Sequence, residues 1–95
     1  MIRGNKRLTL AIGGIFPNPA SGSFVNVIID APKQDRVTLV VTDFSGRILK
    51  QKAANVQSGS NTIPVDISSI SKGNYFVKLV CSENCESTVV KFVRQ

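Results

Sequence analysis

Between Gly59 and Gln95, apolar residues recur at every second position, and no helical spacing interrupts them. Gly59-Ser60-Asn61 opens a run with Ile63, Val65 and Ile67 in phase. A polar elbow, Ser68-Ser69-Ile70-Ser71-Lys72-Gly73, breaks the run. Tyr75, Val77, Leu79 and Cys81 then resume the alternation, and Thr88, Val90 and Phe92 carry a last one almost to Gln95. A period of two puts successive side chains on opposite faces of a strand, so each run has one face to bury. The consequence is a set of antiparallel strands sharing a core. No catalytic constellation is threaded into them, so function is sought on the surface and at the ends of the strands.

The first half reads the same way. Leu8, Leu10 and Ile12 alternate within an apolar stretch from Leu8 to Phe16. Pro17-Asn18-Pro19 follows, where two restrained φ angles and two missing N–H groups predict an extended bend rather than ladder pairing. Ser23 to Asp30 predicts a strand with Val25, Val27 and Ile29 on one face. Phe24 and Ile28 fall on the other, which predicts cover on both sides. Ala31 to Asp35 reads as a surface loop. Arg36 to Thr42 is the clearest strand, with Val37, Leu39 and Val41 pointing one way. Asp43-Phe44-Ser45-Gly46 has the chemistry of a type I turn, with Gly46 free to take a positive φ before Arg47 to Ala53 returns antiparallel. Seven short strands without a helix predict an all-β, antiparallel, immunoglobulin-like sandwich, with a barrel as the lesser alternative.

Ninety-five residues suit one domain with a modest core. The expected division is a linker or first-strand segment over 1–14 and a β-sandwich over 15–95. Residues Met1 to Phe16 loosely imitate a signal peptide, but Gly13-Gly14 interrupts the apolar part and the alternation favours a strand. The formal net charge is +6, carried by 12 basic residues against 6 acidic ones. Those basic residues are scattered rather than interleaved with aromatics, which argues against nucleic acid as a partner. Lys50 and Lys52 share a strand face, and Lys78, Lys91 and Arg94 fall on neighbouring strands. The plain reading of all of these is a solvated face.

Cys81 and Cys85 bracket Ser82-Glu83-Asn84 at the tip of a hairpin. A disulfide closing so short a loop would contribute on the order of 2 kcal/mol by loop entropy. Two free thiols are the alternative. Zinc would need more ligands than a chain with two cysteines and no histidine supplies here. A disulfide would place the folded domain in an oxidising space outside the cytoplasm.

Asp43 and Asp66 fit turns better than an acid–base pair, and without histidine no ordinary serine triad exists. The chain is therefore not read as an enzyme, and no cofactor is expected. Tyr75 follows Gly73-Asn74 and begins an inward row. Its hydroxyl needs a partner, and the structural reading is a corner in which it bonds backbone in the elbow. A surface binding role is the alternative.

Four stretches together resemble a known family. They are Phe16-Pro17-Asn18-Pro19-Ala20, Asp43-Phe44-Ser45-Gly46-Arg47, Gly59-Ser60-Asn61 and the stretch from Ile67 through Gly73-Asn74-Tyr75. Their order and spacing are similar to the C-terminal sorting domain of the type IX (Por) secretion system of Bacteroidetes, over about Ile15 to Gln95. The basic and apolar tail Val90-Lys91-Phe92-Val93-Arg94 matches as well. The cysteine pair departs from the family pattern, and Phe16 stands where tyrosine is common.

The resemblance implies a seven-stranded sandwich carried at the C-terminus of a cargo protein. It implies passage through the periplasm and recognition by the type IX machinery, including an outer-membrane shuttle. It further implies removal by a sortase-like peptidase and delivery of the cargo to the cell surface or the medium. Cleavage is expected N-terminal to the sandwich, near Leu8 to Phe16, in an accessible linker. The recognition candidates are Pro17, Asn18, Pro19, Asp43, Gly46, Gly59, Asn61, Gly73, Tyr75, Lys91 and Arg94. One expectation has the last strand as a semi-open edge with Lys91 and Arg94 outward, read by strand addition and charge. An unpaired edge would also permit a homodimer. The competing reading is an immunoglobulin-like accessory module for carbohydrate or adhesion, which the absence of Trp weakens.

Overall fold

A computed structural model describes residues 9–81 and 88–95. Seven strands follow in chain order: β1 (Ala11–Phe16), β2 (Phe24–Ala31), β3 (Asp35–Asp43), β4 (Ile48–Val56), β5 (Gly59–Asp66), β6 (Gly73–Cys81) and β7 (Val89–Arg94). They form a three-stranded sheet in the order β1-β2-β5 and a four-stranded sheet in the order β4-β3-β6-β7. All the sheet pairings are antiparallel. The expected sandwich is the observed one.

Parity in the register explains the core. Val37, Leu39 and Val41 of β3 pair with Cys81, Leu79 and Val77 of β6. Tyr75 and Val77 of β6 pair with Phe92 and Val90 of β7. Across the interior, Val25, Val27 and Ile29 of β2 pair with Val65, Ile63 and Asn61 of β5. Val25, Val27, Ile29, Leu39, Val77 and Phe92 are all fully buried. Each such side chain contributes about 1.5–3 kcal/mol by leaving water. The Tyr75 and Phe92 rings stack with centroids 5.7 Å apart. Among the described residues no polar or charged side chain is buried. The interior is therefore packing alone.

Two expectations need correction. Phe24 is 52% exposed, so β2 is covered on one face only. Among the described residues no further strand or helix is stacked on the outer side of its sheet. The accessible linker expected over Leu8 to Phe16 is not found in its described part: Leu10 and Ile12 are core residues at 2% and 8% exposure. A register shift between Ile12 and Gly14 then lets Ile15 return inward opposite Val27. Lys50 and Lys52 do share a face: they pair with Val41 and Leu39 on the core side of the edge strand β4, where Lys50 is half-buried and Lys52 exposed.

All four edges are blunted against further pairing. β1 carries the bulge, and β5 carries Pro64, which lacks a donor. On β4 the inward lysines and a register shift after Val41 serve the same end. The segment from Asn18 to Ala20 covers β7.

Candidate functional site

Antiparallel order brings three of the four sequence landmarks to one end of the sandwich. The β1–β2 loop, the β3–β4 turn, the β5–β6 elbow and the end of β7 all lie there, as the pairs Phe24↔Asp66, Asp43↔Tyr75 and Gly73↔Arg94 require. Gly59 and Asn61 lie at the opposite end, where Ala31 pairs with Gly59.

The β3–β4 turn is built on Asp43. Its carbonyl accepts from the Gly46 amide at 3.0 Å, and its own amide donates to the Arg47 carbonyl at 3.1 Å. Its Oδ1 accepts from the Ser45 amide, the Ser45 hydroxyl and the Arg47 amide at 3.0, 2.7 and 3.0 Å. Gly46 has φ +93°, a conformation that costs a side-chain-bearing residue roughly 1–2 kcal/mol. The hydrogen bonds from Ser45 and Arg47 hold the Asp43 carboxyl below its ordinary pKa. Arg47 Nε lies 3.4 Å from Asp43 Oδ2, but the arginine side chain is 77% exposed. Such a pair adds little. Phe44, at the tip of this turn, is 82% exposed.

The elbow is a corner, as expected. Tyr75 Oη donates to the Ser71 carbonyl at 2.6 Å, and the Ile70 amide donates to the Ile67 carbonyl at 3.2 Å. Tyr75 is 7% exposed. Ser68 hydrogen bonds to Asp66 are the main cause that lowers that carboxyl's pKa, with Lys50 and Lys52 adding a smaller attraction. Between turn and elbow lies a shallow depression of about 180 Å³, lined by Asp43, Arg47, Ser69 and Tyr75 among others. The hydrogen bonds of Asp43, Ser45 and Tyr75 beside it complete the turn and the elbow.

The Pro17-Asn18-Pro19 segment acts as a short strand substitute. Both peptide bonds preceding its prolines are cis. Asn18 Nδ2 donates to the Lys91 carbonyl at 3.2 Å, and Asn18 Oδ1 accepts from the Val93 amide at 3.0 Å. Ala20 continues the pattern with backbone bonds to Val93 and Gln95 at 2.7 and 2.8 Å. The end of β7 is thus already paired, which corrects the semi-open edge. Arg94 is not outward either: its Nε donates to the Ile70 carbonyl at 3.1 Å and its Nη1 to the Gly22 carbonyl at 2.8 Å. It ties the β1–β2 loop and the elbow to β7. Lys91 is exposed on the outer face, opposite Phe76.

At the other end, Asn61 secures the crossover between sheets. Its Oδ1 accepts from the Gln57 amide at 2.9 Å, and its Nδ2 donates to the carbonyls of Gln57, Gly59 and Ile29. Gly59, at φ +107°, makes the bend. Cys81 closes β6 in its disulfide state. Its expected partner Cys85 lies outside the described residues.

Two roles were missed in the sequence. Strand parity puts Arg94 on the side of the inward Phe92, two residues before it, but does not say which carbonyls it reaches. Nothing local signals the role of Asn18, because its partners are more than seventy residues away. Among the described residues there is no cluster of potential metal ligands, and no helix is long and apolar enough to cross a membrane.

The architecture defines an immunoglobulin-like sandwich whose landmark residues hold loops in place around a dry core. Residues 14–95 match the model of the secretion system C-terminal sorting domain, and the chain belongs to that family. The domain is accordingly a C-terminal sorting signal of type IX secretion, which directs a cargo protein toward the cell surface or the medium. The family is one of signals rather than catalysts. A search of curated proteins returned no match.

Proposed function

We propose that this domain is a folded address label, read by its exterior. In the periplasm an outer-membrane shuttle of the type IX machinery engages it and hands on the cargo fused to its N-terminal side. A sortase-like peptidase then removes it. Because Leu10 and Ile12 belong to the core, the cut falls on the N-terminal side of Thr9, so that the sandwich is released whole. Residues 15–95, with β1 completed by the preceding few, form the recognised body, and a Cys81–Cys85 disulfide closes the β6–β7 hairpin in that oxidising space. Self-pairing through an edge would require displacing one of the edge guards, so the working form is a monomer.

The observation that carries this reading is the family match across 14–95, on a fold that leaves nothing but surface for a partner. The carbohydrate-module reading needs an aromatic platform, and Tyr75 faces inward. The test fuses the full chain behind a periplasmic reporter in a type IX-competent strain. Export of the reporter is expected. A reporter retained in the periplasm would refute the proposal.

A further inference from the structure

The two outer faces of the sandwich differ in charge, and the difference follows from register. On the four-stranded sheet the outward rows run Ile48–Thr42–Phe76–Lys91, then Gln51–Val40–Lys78–Val89, then Ala53–Thr38–Val80. These rows hold Lys78 and Lys91 and no carboxylate. The three-stranded sheet turns Asp30 and Asp66 outward, and its strands contain no lysine or arginine. Lys78 and Lys91 are diagonal neighbours, about 7–8 Å apart by strand geometry, so their charges repel. Between and beside them lie apolar side chains open to water: Val80 is 42% exposed and Val89 52%. A groove of about 360 Å³ runs past Asp43, Phe44, Phe76, Lys78 and Val89, with the Asp43 carboxyl taken up by its own turn. Exposed apolar surface beside a pair of like charges suits an interaction site.

We infer that this outer face is where the sorting machinery grips the domain, through a protein surface that lays an apolar side chain along the groove with carboxylates against Lys78 and Lys91. The inference rests on the sorting-signal reading above and deepens it. A protein fits better than an anionic lipid layer. The apolar groups lie in rows across a sheet, and only Phe44 sits at a turn where it would reach acyl chains. A segment lying across the rows meets all of them.

The test uses the full chain behind the periplasmic reporter. One variant carries Phe76→Thr with Val89→Thr, another Lys78→Glu with Lys91→Glu, and a control carries Phe24→Thr on the opposite face. Purified variants are melted to confirm that they fold. Each pair on the four-stranded face is expected to lower export about tenfold or more, and the control to leave it unchanged. Wild-type export in both pairs overturns the inference while leaving the sorting signal intact. Retention of the unsubstituted fusion refutes the sorting reading itself and this inference with it. If the glutamate pair fails to fold, Lys78→Gln with Lys91→Gln replaces it, and undiminished export of that pair is equally fatal. Phosphatidylglycerol vesicles supply the last arm. Binding by the wild type that the lysine substitutions abolish would assign the face to lipid and overturn a protein partner.

Discussion

Replacing Asn18 by alanine removes the side chain that stands in for a strand beside β7. Two hydrogen bonds go: the donation to the Lys91 carbonyl at 3.2 Å and the acceptance from the Val93 amide at 3.0 Å. Both are solvent-exposed, so water replaces them and no buried group is orphaned. At about 0.5–1.5 kcal/mol per net hydrogen bond, the exposed pair contributes about 1–2 kcal/mol. In a domain of this size each kcal/mol moves Tm by roughly 4–8 °C, so a fall of about 4–15 °C is expected. The Ala20 backbone bonds remain, and the fold survives. Circular dichroism on the full chain measures Tm, and amide hydrogen exchange reads the Val93 N–H directly. Asn18→Asp keeps the acceptor for Val93 and loses the donor to Lys91. Protection at Val93 should therefore persist while part of the stability is lost. A Tm within about 1 °C of wild type for Asn18→Ala, with Val93 still protected, would refute the reasoning: Ala20 alone would be holding the segment.

Tyr75→Phe deletes the 2.6 Å bond to Ser71 and leaves the stack on Phe92, so stability falls by about 1 kcal/mol while the urea m-value is unchanged. The acid limb of stability follows from Asp43 and Asp66, whose folded pKa values are lowered by their turn hydrogen bonds. That contribution is complete above the unfolded carboxylate value of about 3.9 and is lost as pH falls through the lower folded values. Tm measured against pH should therefore decline on the acid side, and Asp43→Asn should reduce the decline. An unaltered acid profile in that variant would remove Asp43 from the account.

Much of this was legible locally. The alternation in β3, β5 and β6 named the core faces, because a period of two has one meaning when one side is buried. The Asp43-to-Gly46 turn and the Tyr75 corner were legible for the same reason: each closes on itself within a few residues. Phe24 was misjudged because an apolar residue on the second face of a strand does not say whether another layer covers it. The alternation through Leu10 and Ile12 was read as a strand, but the accessible cleavage linker expected there was misplaced, because burial of those two residues depends on a distant partner strand.

The amino-acid order by itself determined the strands, their buried faces and the turns, since those depend on neighbours a few positions apart. Only the tertiary structure decided what the long-range partners do. It seated Asn18 on the backbone of β7, tied Arg94 to Gly22 and Ile70, set Lys50 and Lys52 on the core side of the β4 edge, and left Lys78 and Lys91 together on an apolar face. These outcomes depend on which strands become neighbours and in what register, and no local pattern carries that information.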